Sequence, residues 1–293
     1  MSNGSYSVLL KDKIKEFNKN IYVDSDKSIS IRSFLISSIS QGISKITNVL
    51  ESEDTFSTIN SIKKLNCKIK KIGKRSYKVY GKGLGSFYAK KNTILDLGNS
   101  GTGLRLITSI ISTTPNLKLL LTGDTSLKKR NMSKLISLMS KFGAEFFPKG
   151  KVNLPLRITS SELPVGIDYE SDSSAQLKSA VILAGLNSFG NTTIFEKFKT
   201  RNHTENILLQ NSKSIVFEKK NFFKIIGKKN LDELSIKVPS DPSSAAFFAA
   251  LCLLNKKSTI KIRNVCLNPR RIGFYILLKK CGANIKMINK KIE

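Results

Sequence analysis

Five arginines, Arg32, Arg105, Arg130, Arg201 and Arg270, stand in corresponding stretches of a chain that otherwise draws its positive charge mainly from lysine. The planar guanidinium fork meets the oxygens of a phosphate or carboxylate two at a time, so these arginines point to anionic ligands. Beside them lie turns of small polar residues: SDKS from Ser25, GNSGT from Gly98, SDSSA from Ser171 and SDPSS from Ser240. Such a turn at a helix start leaves backbone N–H groups facing outward with the positive end of the helix dipole behind them, which is an anion site. A single turn of this kind is explained as a helix cap. Four in equivalent places, several with a basic residue one turn further on, point to a shared anionic pocket.

The turns must be positioned by something, and the flanking residues repeat one plan with a period of roughly seventy residues. A short alternating strand precedes each turn: NIYV, TILDL, GIDYE and LSIKV. An apolar helix follows it: ISIRSFLISSIS, GLRLITSIIS, AQLKSAVILAGL and AAFFAALCLL. Phe34, Leu35 and Ile39 in the first, and Leu104, Ile107, Ile110 and Ile111 in the second, recur at helical spacing. A second strand comes next (KITNVL, KLLLTGD, TTIFEK, STIKIRNV), then a second helix. That helix leads to a closing strand in INSIKKLNCKIKKI, LISLMSKFGAEFF and ILLKKCGANIKMI, with a looser version in ENILLQNSKSIVF. Gly143 and Gly282 separate the second helix from the closing strand, and Gly42 and Gly190 mark helix ends or turns. Strand–helix–strand units of this kind build sheets with helices packed on them, an α/β architecture.

Composition narrows the class. At 293 residues and 40% hydrophobic content the chain is long enough for two domains with a real core. Its longest apolar runs, such as Ala245–Leu254, fall short of a membrane span, and the start MSNGSYSVLLKDK has no secretory pattern. A cytoplasmic protein is expected. Cys67, Cys252, Cys266 and Cys281 form no CxxC pair, so reduced thiols are expected, with no metal and no organic cofactor. The net charge of +29 invites a nucleic-acid reading. Against it, the lysines are spread along the chain, and no stretch interleaves basic and aromatic residues as single-strand binders do.

The motifs then meet a known family. DKSISIRSFLISSISQG, LDLGNSGTGLRLIT, GDTSLKKRNM, SSAQLKSAVILAGL, TRNHTENIL, VPSDPSSAAFFAAL and LNPRRIGFYILLKKCGANI resemble, in order, the signature blocks of the EPSP synthases, from about Asn20 onward. The resemblance implies transfer of the enolpyruvyl group of phosphoenolpyruvate to shikimate 3-phosphate. It also implies a two-domain, inside-out α/β barrel of repeated βαβαββ units. Carried over by position, Lys27, Ser28, Arg32, Ser174, Ala175 (through its backbone), Gln176 and Arg201 would hold shikimate 3-phosphate. Lys27, Asn99, Gly101, Arg130 and Gln176 would meet phosphoenolpyruvate. Lys27, expected among other cations, would have a lowered pKa and move protons. His203, the lone histidine, is expected to be structural.

The chain departs from the family pattern at several points. Asp24–Ser25 replaces a Pro–Gly pair, and Asn131 replaces the proline after Arg130, which suggests a less rigid loop there. Gly101 is kept, which implies glyphosate sensitivity in a complete enzyme. Family members are longer. The expected layout is residues 1–20 belonging to an incomplete domain, 21–233 forming a complete three-repeat domain, and 234–293 the first repeat of the incomplete one, a C-terminally truncated chain. The residues cast as base for the ring hydroxyl fall in the portion absent here. A non-catalytic binder of shikimate 3-phosphate is therefore one alternative, and a monomer is expected. UDP-N-acetylglucosamine enolpyruvyl transferase is another, but its mobile-loop cysteine has no counterpart in GDTSLKKRN.

Overall fold

In the computed structural model, which describes residues 14–288 together with residues 7, 9 and 11, all four small-polar turns stand at helix N-termini. The chain runs β1 (Asn18–Ile21), α1 (Lys27–Ile39), β2 (Gln41–Thr47), α2 (Glu53–Lys64), β3 (Lys68–Gly73) and β4 (Ser76–Lys82). A second unit follows as β5 (Ile94–Asp96), α3 (Gly101–Ser112), β6 (Lys118–Thr122), α4 (Thr125–Lys128), α5 (Ser133–Lys141), β7 (Glu145–Phe147) and β8 (Leu156–Thr159). The third is β9 (Asp168–Ser171), α6 (Ala175–Leu186), β10 (Asn191–Glu196), α7 (His203–Asn211), β11 (Ile215–Lys219) and β12 (Phe222–Ile226). Then come β13 (Ser235–Lys237), α8 (Pro242–Leu254), β14 (Thr259–Ile262) and α9 (Gly273–Lys280).

Three four-stranded sheets share one topology: β13-β2-β4-β3, β5-β6-β8-β7 and β9-β10-β12-β11. In each the first pair is parallel and the other two are antiparallel. Among the described residues no strand pairing joins one of these sheets to the next, so the expected barrel is three separate sheets around a helical interior. α1, α3 and α6 form that interior. Each is buried on nearly every side, which suits sequences apolar or small all round. Ser30, Ser33, Ser38 and the C-cap Ser40 tolerate burial because they donate back to carbonyls of their own helix. One core runs through all three units, from Phe34, Leu35 and Ile36 to Leu106, Val181 and Phe223.

The first sheet shows how closely helix and sheet approach. A methyl built on Gly81 would overlap the carbonyl oxygens of Ser37 and Ser40 at the end of α1, and neither is a flexible group. Gly81→Ala is expected to lower folding stability by about 1–3 kcal/mol through overpacking, read as a lower urea midpoint with unchanged slope.

Two strands depart from the expected layout. β1, expected to open the first repeat, pairs in parallel with β14. The first sheet takes its leading strand instead from β13, which lies beyond the boundary expected at residue 234. The chain thus crosses over twice, and the crossings run side by side: Asp26 N donates to Pro239 O, and Asp241 N donates to Asp24 O. The closing strands also differ from expectation. The looser third copy forms β11, paired with β12, whereas Asn284–Ile288 is in no strand. β3, β7 and β11 each pair with the strand that follows them, and the fourth unit has no such partner among the described residues. There α8 leaves Phe247 79% and Leu254 86% exposed, although its sequence is as apolar as those of the central helices.

Candidate active site

The N-terminal turns of α1, α3 and α6 are built alike. Asp26 caps α1 by accepting from Ile29 N, Ser100 caps α3 by accepting from Gly103 N, and Ser174 caps α6 by accepting from Leu177 N. Side chains tie these turns together at one end of the helical interior. Gln176 Nε2 donates to Thr102 Oγ1 at 3.0 Å, and Arg105 Nη1 donates to Gln176 Oε1 at 2.9 Å and to the Gly101 carbonyl at 3.1 Å. Arg32 spans α1, α6 and α7 by donating to Ser179 Oγ at 3.0 Å, Thr204 Oγ1 at 2.9 Å and the Ser28 carbonyl at 3.2 Å.

Two neighbouring cationic clusters result. In the first, Arg130 Nη2 donates to Asn99 Oδ1 at 2.6 Å, and a Cβ on Gly101 would stand 2.5 Å from Arg130 Nη1 and 3.0 Å from Arg105 Nη1. The two guanidiniums crowd the same backbone, and burial together with Arg130 lowers the pKa of Arg105. In the second, Arg32 is buried and desolvation lowers its pKa to about 10, with Arg201 and Arg271 close enough to push the same way. His203, at the start of α7, lies beside the second cluster: burial, then Arg32, Arg271 and Arg201, lower its pKa to about 3, so the imidazole is neutral. Like charges packed against three helix N-termini are costly when empty and are relieved by anions.

The sequence-derived residues divide between these clusters. Asn99, Gly101, Arg130 and Gln176 come together in the first. Lys27, Ser28 and Arg32 share α1, while Ser174, Ala175 and Gln176 lie around the start of α6. Arg201 is exposed just before α7, beside Arg32 and His203. Lys27 differs from expectation. Where cations were expected beside it, its ammonium is paired with a carboxylate, Asp54 Oδ2 at 2.8 Å, and the lysine side chain is half exposed. Asn131 supplies the restraint expected from a proline, since its Oδ1 accepts from Ser133 N at 2.7 Å at the start of α5.

Sequence reasoning placed Arg105 in a repeated segment but not in the site. The signal was its position four residues after Gly101, because a helical side chain leans back over the preceding turn. Behind the site lies a group that spacing did not reveal. Lys178 Nζ is fully buried, 2.7 Å from Glu196 Oε1 and 2.5 Å from Glu205 Oε1. Burial holds Glu205 above the usual carboxylate range even though Lys178 pulls the other way. Arg270 adds a longer contact to Glu196 at 3.5 Å and also donates to the Thr200 carbonyl. Its neighbour Arg271 reaches both crossing segments, 2.7 Å from Asp26 Oδ2 and 2.7 Å from Asp241 Oδ1.

Comparison with known proteins gives a consistent result. Residues 11–293 match the sequence profile of EPSP synthase (3-phosphoshikimate 1-carboxyvinyltransferase). The chain is 40% identical over 287 residues to the 3-phosphoshikimate 1-carboxyvinyltransferase of Sulfurihydrogenibium sp., covering 96% of this chain and 65% of that protein. To that of Petrotoga mobilis it is 39% identical over 280 residues, covering 94% and 64%. The EPSP synthase structure from Acinetobacter baumannii superposes with a TM-score of 0.87 at 32% identity, covering 95% of this chain and 63% of that one. The chain therefore spans less than two thirds of the length of these relatives.

Proposed function

The chain belongs to the EPSP synthase family, and from that premise we propose that it takes part in transferring the enolpyruvyl group of phosphoenolpyruvate to the 5-hydroxyl of shikimate 3-phosphate. The observation that carries this reading is the clasp of Arg105, Gln176 and Thr102 beside the Arg130–Asn99 pair. It brings two guanidiniums together with the capped starts of α3 and α6. Both substrates are phosphorylated carboxylates, and bringing them together costs several kcal/mol of repulsion at an effective dielectric near ~20. A pocket of arginines and helix N-termini offsets that cost before the chemistry begins.

In this reading, Lys27, Ser28, Arg32, Ser174, Ala175, Gln176 and Arg201 hold shikimate 3-phosphate. Asn99, Gly101 and Arg130, with Lys27 and Gln176, hold phosphoenolpyruvate, and Arg105 supports Gln176. The absence of a Cβ at Gly101 lets both guanidiniums close on the first turn of α3. The reaction protonates the methylene carbon of phosphoenolpyruvate while the ring hydroxyl gives up its proton and adds to the adjacent carbon; loss of phosphate from that tetrahedral adduct, together with a proton from the newly formed methyl group, restores the double bond and gives the product. Lys27, at the head of α1, is the proton carrier of this set, and its pairing with Asp54 must open for it to reach substrate. The protein works in the cytoplasm in this reading, and no described helix is long and apolar enough to cross a membrane.

The test mixes the purified chain with both substrates and measures phosphate release, alongside calorimetric titration of each substrate. Arg130→Ala is expected to cut phosphoenolpyruvate affinity by at least about tenfold, since a charge-assisted contact contributes ~1.5–3 kcal/mol. Shikimate 3-phosphate affinity should change little. Binding of both without phosphate release would favour the non-catalytic binder, and binding of neither would overturn the assignment of this site.

A further inference from the structure

The three sheets share a topology but not a charge pattern. The second carries Asp96 and Glu145 within its strands, and the third carries Asp168, Glu170, Glu196 and Glu218. The first, β13-β2-β4-β3, has no aspartate or glutamate in any strand and seven lysines. The register sorts them by face. Lys45 pairs opposite Lys78, which pairs opposite Lys70, so three lysines stand in one row across three strands. Lys68 lies in the adjacent row with Tyr80 and Ile43, Lys82 one row beyond, and Lys237 on the other side beside Thr47. The alternate residues, Ile46, Tyr77, Val79 and Ile69, are buried, so all six of these lysines share the outward face. Lys71, of opposite parity, pairs with Glu51 at 2.7 Å.

Like charges directly opposite on neighbouring strands destabilise a sheet. The ammonium groups of Lys45, Lys70 and Lys78 have no carboxylate among the ion pairs of the described residues. In the third sheet the comparable position is neutralised, with Lys224 paired to Glu218 at 2.6 Å. Lys68, Lys70, Lys78 and Lys82 come from one hairpin, and the fold adds Lys45 and Lys237 from elsewhere in the chain.

We propose that the outer face of the β13-β2-β4-β3 sheet is a binding surface for single-stranded RNA, separate from the helix N-termini that form the candidate active site. Strands about 4.8 Å apart set the lysines in a grid that a flexible phosphodiester backbone can follow. A rigid duplex would touch such a flat face along one line only. The row of Ile43 and Tyr80 adds apolar and aromatic surface between the charges: Ile43 is 51% exposed and Tyr80 is half-buried, with Lys68 Nζ 5.0 Å from its ring centre. Bases stack or rest on such groups without regard to sequence.

The experiment measures binding of a fluorescent 12-nucleotide poly(U) to the whole chain by anisotropy across a salt series. Each neutralised phosphate adds about −0.7 to the slope of log K against log salt, so six lysines predict a slope near −4. The triple variant Lys45→Gln, Lys70→Gln, Lys78→Gln is expected to weaken binding by about tenfold or more at low salt and to reduce the slope by about 2. A control triple at Lys213, Lys220 and Lys256 makes the same change in net charge and is expected to leave both values nearly unchanged. Equal effects of the two triples would overturn the proposal in favour of diffuse attraction to a basic protein. Preference for vesicles of phosphatidylserine over the RNA, lost in the first triple alone, would overturn the choice of partner. Single Lys70→Gln and Lys78→Gln variants carry the same comparison if the triple does not fold.

Discussion

Replacing Lys178 by methionine is expected to cost about 3–5 kcal/mol of folding stability, more than any other single change considered above. Its ammonium is fully buried between the carboxylates of Glu196 and Glu205, and methionine preserves most of the volume while removing the charge. Two buried carboxylates would then face each other's charge, with the longer Arg270 contact on Glu196 and the more distant charge of Arg32 on Glu205 as partial compensation. Urea unfolding reads the loss as a lower midpoint at constant slope. The variant that also carries Glu196→Gln and Glu205→Gln should recover a large part of it, because a neutral buried group lacks the desolvation penalty of an unpaired ion. A loss under about 1 kcal/mol in the single variant would show that the cluster is hydrated and not held dry inside the third unit.

The second large effect is on pH dependence. His203 is buried and its folded pKa is pulled from the ordinary 6.5 to about 3. The unfolded chain therefore takes up a proton near pH 6.5 that the folded protein refuses, so the stability His203 contributes is present above pH 6.5 and is lost as pH falls toward 3. Each unit of separation corresponds to about 1.4 kcal/mol, so at pH 4 the loss is about 3 kcal/mol. Glu205 works in the opposite sense. Its raised pKa gives stability that is present below the ordinary carboxylate value and lost as pH rises through the folded one. Comparing wild type with His203→Gln at pH 7 and pH 4 cancels Glu205, which both share. The variant should lose about 3 kcal/mol less than wild type between the two pH values. Parallel pH profiles would mean that the imidazole takes up its proton at the same pH in the fold as in the unfolded chain.

Much of this architecture was legible from residue types because local rules agreed with one another. All four small-polar turns cap helices, and Gly143, read as the break between α5 and β7, has a φ of 92° that a side chain would strain. Arg130 and Gln176, singled out by the resemblance, stand in the fold beside Asn99 and beside Arg105 and Thr102. Strand partners were not legible. β1 and β13 are both short and precede apolar helices, and nothing in either names the strand beside which it will lie. Lys178 escaped notice for a similar reason: its two carboxylate partners stand on β10 and α7, at no helical or strand spacing from it. Lys27 was expected among cations because the motif gathers basic residues, but the neighbouring Asp54 comes from the first turn of α2.

The exchange of β1 and β13 bears on how the protein is made. A ribosome delivers β2 early, yet the native neighbour of β2 is separated from it by about 190 residues, as the Ser44–Leu234 contact shows. At roughly 5–20 residues per second, that edge waits for about 10–40 s in a nascent chain. β1 is already present during the wait, joined to β2 through α1 by the same strand–helix–strand connection that links β5 to β6 and β9 to β10 in parallel pairs. The first unit thus has a complete, wrong solution within reach before the right strand exists. Native order requires β1 to leave the edge of β2 free for β13 and to take up β14, so the correct outcome depends on one of the chain's shortest strands.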